Sequence, residues 1–140
     1  MAVSKVPLTV VIDTNFIAVP AQFNVDIFSE AERLLERKIE FVILSTALEE
    51  LERKISSPSS RTEERHFRIA KDLVKRCTII DYEDISNLDT VDDQVLEYAK
   101  RVKGILATND RELRKRARKY GVPVLMLRGR KQLALDGGVV

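Results

Sequence analysis

Leu8-Thr9-Val10-Val11-Ile12-Asp13-Thr14-Asn15-Phe16 decides the fold. A short apolar run ends abruptly in a carboxylate, and two small polar residues able to turn the chain follow it. Runs of this kind, bounded by polar or turn residues, read as strands buried on both faces, as in parallel sheets. In an open α/β sheet, ligands bind just beyond the carboxyl ends of such strands. Asp13 stands where such a site would be.

Outward from this stretch, strands and helices alternate. Leu8–Ile12 is the first strand. Pro20 predicts a loop or one short turn over Phe16–Phe23. Ile27, Ala31, Leu34 and Leu35 recur at helical spacing within Val25–Lys38. Phe41–Leu44 reads as a second strand, followed by Ser45 and Thr46 as N-cap residues. Thr46-Ala47-Leu48-Glu49 has the form of a capping box, with a helix to about Ile55. Ser56–Ser60 is a loop, Thr62–Arg76 a helix, and Cys77–Ile80 a third strand. An acidic connection over Asp81–Asp89 leads to a helix from Thr90 to about Lys103, ended by Gly104. Ile105–Thr108 is a fourth strand, Asp110–Tyr120 a basic helix, and Val122–Leu127 a fifth strand. Alternation predicts right-handed crossovers and a three-layer α/β/α fold with a mainly parallel sheet of about five strands. Residues 1–128 read as one domain and 129–140 as a basic C-terminal tail.

The 140 residues suffice for one domain. The net charge of +2 does not by itself argue for a polyanionic partner, but the charges are unevenly distributed. Arg111–Lys131 holds nine basic residues and one acid, and Asp81–Asp93 holds six acids and no base. One region suits polyanions and the other cations. A single cysteine, Cys77, excludes an internal disulfide and a cysteine-based metal cluster. No signal-peptide pattern or membrane-length apolar run is visible, so the expectation is a cytoplasmic protein with no membrane association.

In a parallel sheet, strand carboxyl ends and the helix starts that follow them share one edge. Asp13, Glu50, Asp92 and Asp110 therefore fall on one rim. Helical phase separates Asp92 from Asp93: Asp92 lies within the stripe of Val95, Leu96, Ala99 and Val102, whereas Asp93 points away and sits at the capping-box position relative to Thr90. Phase leaves Glu50 and Glu52 equivalent; nearness to the helix start favours Glu50. Carboxylates so close repel one another unless a counter-charge intervenes. Mg²⁺ or Mn²⁺, as one or two ions, meets that need with oxygen ligands and suits phosphodiester hydrolysis, whereas the lack of His and Cys at these positions argues against zinc. Thr14, Asn15, Thr108, Asn109 and Asp93 are the neighbours expected to hydrogen-bond the carboxylates or outer waters. Each acid taken alone is also an ordinary helix-start or turn residue. Their coincidence on one rim carries the argument. The strand-end Asp also resembles that of the haloacid-dehalogenase-like folds, which work through an aspartyl phosphate, but those usually carry a second Asp two residues later, where Asn15 stands here.

The chain resembles the PIN-domain nucleases. The matching pieces are Val11-Ile12-Asp13-Thr14-Asn15-Phe16, Ala47-Leu48-Glu49-Glu50-Leu51-Glu52, Val91-Asp92-Asp93-Gln94-Val95-Leu96, and Leu106-Ala107-Thr108-Asn109-Asp110-Arg111-Glu112-Leu113. The resemblance places the family's acidic quartet, catalytic and metal-binding, on Asp13, Glu50, Asp92 and Asp110. It implies Mg²⁺- or Mn²⁺-dependent endonucleolytic cleavage of RNA. Gly121-Val122-Pro123-Val124 and Ala107-Thr108-Asn109-Asp110 look closest to the branch that processes ribosomal RNA, with a structured or ribosomal-precursor RNA as substrate. The other large branch comprises ribonuclease toxins paired with antitoxins. A homodimer, an antitoxin or a ribosome-assembly factor are the partners so implied, and a catalytically silent RNA- or protein-binding module is a further alternative.

Arg111, Arg114, Lys115 and Arg118 on the basic helix, with Arg128, Arg130 and Lys131 beyond it, are the expected RNA-phosphate contacts. Arg61, Arg65, Arg68 and Lys71 offer an opposite wall. No stacking aromatic signature for base reading is present.

Overall fold

The computed structural model of the protein describes residues 6–82, 88 and 90–137. Of the predicted acidic connection, only Asp81, Tyr82 and Leu88 lie within the described residues. Six strands form one sheet: β1 (Leu8–Ile12), β2 (Ile39–Leu44), β3 (Thr78–Ile80), β4 (Ile105–Ala107), β5 (Val124–Arg128) and β6 (Gln132–Asp136). Six helices flank them: α1 (Val19–Phe23), α2 (Ile27–Leu35), α3 (Ser45–Ser56), α4 (Arg61–Leu73), α5 (Val91–Arg101) and α6 (Arg111–Lys119). The architecture is a three-layer α/β/α sandwich.

The strand order is β3-β2-β1-β4-β5-β6. β1 is central and pairs in parallel with β2 and β4, with Val11 opposite Val42 on one side and Leu106 on the other. Val10, Val11 and Ile12 are all buried, as a strand covered on both faces requires. The chain winds from β1 outward to β3 and then returns to β4 on the other flank of β1. The strand order thus reverses between β1 and β4, which is where open α/β sheets bind ligands.

The structure sharpens three expectations. The sheet, read as about five strands, has six: Gln132–Asp136, within the segment read as a basic tail, pairs antiparallel with β5. Its Leu133 is buried, and Gly129, with φ +66°, lets the chain reverse into it. Phe16–Phe23, read as a loop or one short turn, is a 3₁₀ turn at Phe16–Ala18 running into the five-residue α1. Pro20 falls in the first turn of α1, where a missing N–H has no intrahelical partner to lose. Thr46 does not cap α3. The helix starts at Ser45 with Leu44 at the N-cap and no side-chain cap. The Ser45 hydroxyl instead accepts from Tyr82 N at 3.1 Å and donates to Asp81 Oδ1 at 3.3 Å. Thr46 Oγ1 is buried without a hydrogen-bond partner.

Cys77 is half-buried, and burial pushes its thiol up to about 12. It is therefore unreactive as a thiolate at neutral pH. Among the described residues, no helix is long and apolar enough to cross a membrane.

Candidate active site

β1 delivers Asp13 to the switch point. Asp13 N donates to Ala107 O at 3.0 Å, extending the β1–β4 ladder by one bond, and Phe16 N donates back to Asp13 O at 3.0 Å to turn the chain. The side chain is almost wholly buried, at 5% exposure. Thr108, at the end of β4, donates its hydroxyl to Asp13 Oδ2 at 2.8 Å and accepts from Asp110 N at 3.1 Å. One buried hydroxyl therefore spaces two of the four acids. Thr14, also buried, reaches the carbonyl of Ala47 at 3.5 Å and ties the end of β1 to the start of α3.

Charge crowding is explicit at Asp13. Its carboxyl is pushed up to about 6, chiefly by burial, with the negative charges of Asp92 and Glu50 adding to the rise and the Thr108 hydrogen bond opposing it. Asp92 is also raised, first by burial and then by the charge of Asp110, while Arg116 opposes. The four acids thus bear on one another as a chain: Glu50 and Asp92 on Asp13, and Asp110 on Asp92. Asp110 is in addition the N-cap of α6, its Oδ1 accepting from Glu112 N at 2.8 Å and Leu113 N at 3.1 Å. Glu50 is partly exposed and faces Lys54 at 3.8 Å, while Glu52 is more exposed and lies 4.0 Å from Lys71.

The other polar neighbours have diverse roles. Asn109 Oδ1 accepts from Leu127 N at 2.8 Å and so fastens β5 to the end of β4. Asp93 pairs with Arg116 of α6 and is held well below the usual carboxylate range by it and by Thr90. Asn15 accepts a hydrogen bond from Lys54 Nζ at 2.6 Å. Lys54 is a cation of this centre that the sequence did not single out, and Arg116, read only as part of the basic helix, pairs with an acid instead. Lys54 lies four residues after Glu50 in a helix that was expected to meet the rim only at its start. In fact α3 keeps to the end of β1 for about two turns: Thr14 meets it at Ala47 and Asn15 meets it again at Lys54.

The basic residues divide. Arg114 lies against Met126 Sδ at 2.9 Å, and Arg118 reaches both carboxylate oxygens of Asp136 on β6, at 2.9 and 2.7 Å. Lys115 is 3.6 Å from Glu112 and almost wholly in solvent. Arg111, Arg128, Arg130 and Lys131 are exposed. β5 runs parallel to β1 and β4, so the Arg128–Lys131 turn stands on the same edge of the sheet as Asp13.

All four acids are hard oxygen donors and suit a hard divalent ion. Among the described residues, no three acidic, His or Cys side chains converge to hold one ion together. Mg²⁺ is commonly held by one or two carboxylates and several waters, so pairs within this chain of acids fit it. The crowding that lifts Asp13 is what such a charge would relieve.

The chain as a whole is similar to known proteins. Ribonuclease VapC4 of Methanocaldococcus jannaschii is 33% identical over 134 residues, spanning 93% of this chain and 98% of that one. The PIN domain endonuclease Utp24 has a TM-score of 0.75 at 28% identity, covering 95% of this chain and 94% of its own. VapBC2 from Rickettsia felis, solved bound to a DNA fragment from its promoter, shares the fold with a TM-score of 0.60 at 18% identity, over 85% of this chain and 98% of its own. Residues 10–130 match the family described as a PIN like domain, a span that takes in the end of β1, all four acids and Arg130. On that match, and on a relative aligned along nearly its whole length, the chain belongs to the PIN-domain family.

Proposed function

We propose that this protein is a divalent-metal-dependent endoribonuclease that hydrolyses RNA phosphodiester bonds. The observation that carries the reading is the row of mutually repelling carboxylates at the switch point, with Asp13 lifted to about 6 inside it. Asp13, Glu50, Asp92 and Asp110 are the residues that would hold one or two Mg²⁺ or Mn²⁺ ions. Such an ion, when bound, activates water as nucleophile and balances charge that builds on the phosphate. The chain's own residues prepare the rest. Thr108 fixes the rotamer of Asp13, Thr14 and Asn15 tie β1 to α3, and Asp110 is oriented by the amides it caps. Arg111, Arg128, Arg130 and Lys131 flank the rim and suit RNA phosphates, while Arg114, Lys115 and Arg118 share contacts with Met126, Glu112 and Asp136.

The cellular role that fits is processing of a structured or ribosomal-precursor RNA, supported by the likeness to Utp24 along almost the full length of both chains. The identity with VapC4 favours a second reading, a toxin held by an antitoxin. In the first case a homodimer or a ribosome-assembly factor is the expected partner, and in either the expected location is the cytoplasm. Purified protein with Mn²⁺ should cut a labelled structured RNA, and Asp13→Asn should lose that activity while retaining its circular-dichroism spectrum. Equal rates for the two proteins would refute the assignment. Expression in a heterologous host separates the roles: growth arrest that Asp13→Asn abolishes marks the toxin, and unaffected growth marks the processing enzyme.

A further inference from the structure

Lys54 is the one basic side chain that reaches into the row of acids from α3. Its Nζ donates to Asn15 Oδ1 at 2.6 Å, across 39 positions of sequence, and lies 3.8 Å from Glu50 Oε1. Its charge also bears on Asp92, on a different helix, and its ammonium stands 5.3 Å from the centre of the Phe67 ring of α4. An ordinary i,i+4 surface pair would explain the Glu50 contact alone and would contribute a few tenths of a kcal/mol. It does not explain an ammonium tied to the residue two places after Asp13 and backed by an aromatic face.

We propose that Lys54 is a resident cation of the acidic centre, taking the place of one of the divalent ions that four carboxylates would otherwise call for. Resting on the metal-dependent reading above, this assigns the centre a single Mg²⁺ or Mn²⁺. Four carboxylates carry four negative charges. Two divalent ions would neutralise them all. With Arg116 taken up by Asp93, one divalent ion and the Lys54 ammonium leave one negative charge, whereas a second ion would have to sit beside the ammonium and be repelled by it. Asn15 and Phe67 are what keep the ammonium there: the amide oxygen fixes its position without neutralising it, and the ring face favours a cation without competing for it.

The test counts bound metal directly. Mn²⁺ is titrated at neutral pH into wild type, Lys54→Met and Asp13→Asn, with free ion read by electron paramagnetic resonance, and folding of each checked by thermal melting. The expected result is one ion in wild type. Lys54→Met should take up a second ion, or bind the first about tenfold more tightly, because a neighbouring positive charge is gone. Lys54→Arg, which keeps the charge, should behave as wild type. Two ions in wild type would overturn the proposal, as would a Lys54→Met protein matching wild type in both stoichiometry and affinity. No Mn²⁺ bound by wild type would overturn the metal-dependent reading itself and this proposal with it. Binding by wild type that Asp13→Asn leaves untouched would place the ion elsewhere and would likewise overturn both.

Discussion

At the scale of the residue, Asp13 is the most buried acid among the described residues, and burial together with neighbouring acids disfavours its charge. In the unfolded chain its carboxyl titrates near 3.8, and in the folded protein near 6. Between those values the folded state keeps a proton that the unfolded state has already released. Stability from this group is therefore fully present below the lower value, declines as pH rises, and stays low above the higher. The shift of about two units corresponds to roughly 3 kcal/mol at most, at 1.36 kcal/mol per unit. Urea unfolding of chelator-treated protein should show that decline between pH 4 and 6.5. In Asp13→Asn the decline should shrink to what the raised Asp92 still contributes, leaving the variant about 1–3 kcal/mol more stable than wild type at pH 7.5. An identical pH slope in the two proteins would show that Asp13 is not the group responsible. The same titration predicts that Mn²⁺ affinity weakens below about pH 6, because the proton and the ion compete for one carboxylate.

At the scale of the element, what matters is how the helix starts are held against one another. Arg116 of α6 pairs with Asp93 of α5, and that clamp sets Asp92, the preceding residue, against Asp110, the N-cap of α6. Both partners are partly exposed, so the pair itself contributes about 0.5–1 kcal/mol to stability. A double-mutant cycle of Asp93→Ala and Arg116→Ala should return a coupling of that size. Cleavage should fall further than this small loss of stability explains, since Arg116 also opposes the upward shift of Asp92. Unchanged cleavage in Arg116→Ala would reduce the clamp to an ordinary surface pair. The reading of elements from sequence succeeded where a helix or strand is decided by its own apolar period, as in β1, α4 and α5. It failed where a neighbouring element decides. Thr46 has the right chemistry for a cap, but the chain beyond β3 occupies Ser45 and leaves Thr46 buried. Lys54 drew no reading from the sequence because no periodicity reveals that α3 hugs the end of β1. Gly104 was read as a helix stop, yet Lys103 has the positive φ, and Gly104 is needed because a Cβ there would sit 2.6 Å from the carbonyl oxygen of Thr9. Gly104→Ala should accordingly cost about 1–3 kcal/mol by forcing β4 away from β1, measurable as a lowered urea midpoint at unchanged m-value.

At the scale of the whole molecule, the sheet decides which basic residues are free to meet RNA. The sequence showed one dense basic region but not its division, because β6 was hidden. Gln132–Asp136 is a half-buried edge strand bordered by charged residues, and its short alternation is indistinguishable from a polar tail until β5 pairs with it. That pairing brings Asp136 to Arg118, which fastens α6 to the sheet edge, and turns Arg128, Arg130 and Lys131 out onto the rim that carries Asp13. The two groups should part company in solution. With Asp13→Asn as a non-cleaving background, binding of a labelled single-stranded RNA can be followed by fluorescence anisotropy across salt concentrations. Each phosphate contact contributes about 0.7 to the slope of log K against log salt. Replacing Arg128 and Arg130 together by Ala should flatten that slope by about 1–1.5 and weaken binding to all sequences alike. Arg118→Ala should instead lower the melting temperature, by loosening β6 from α6, and leave the slope near its starting value. If Arg118→Ala flattens the slope as much as the Arg128 and Arg130 pair does, then RNA lies along the outer face of α6 and competes with Asp136 for Arg118, and the path across the rim is wrong.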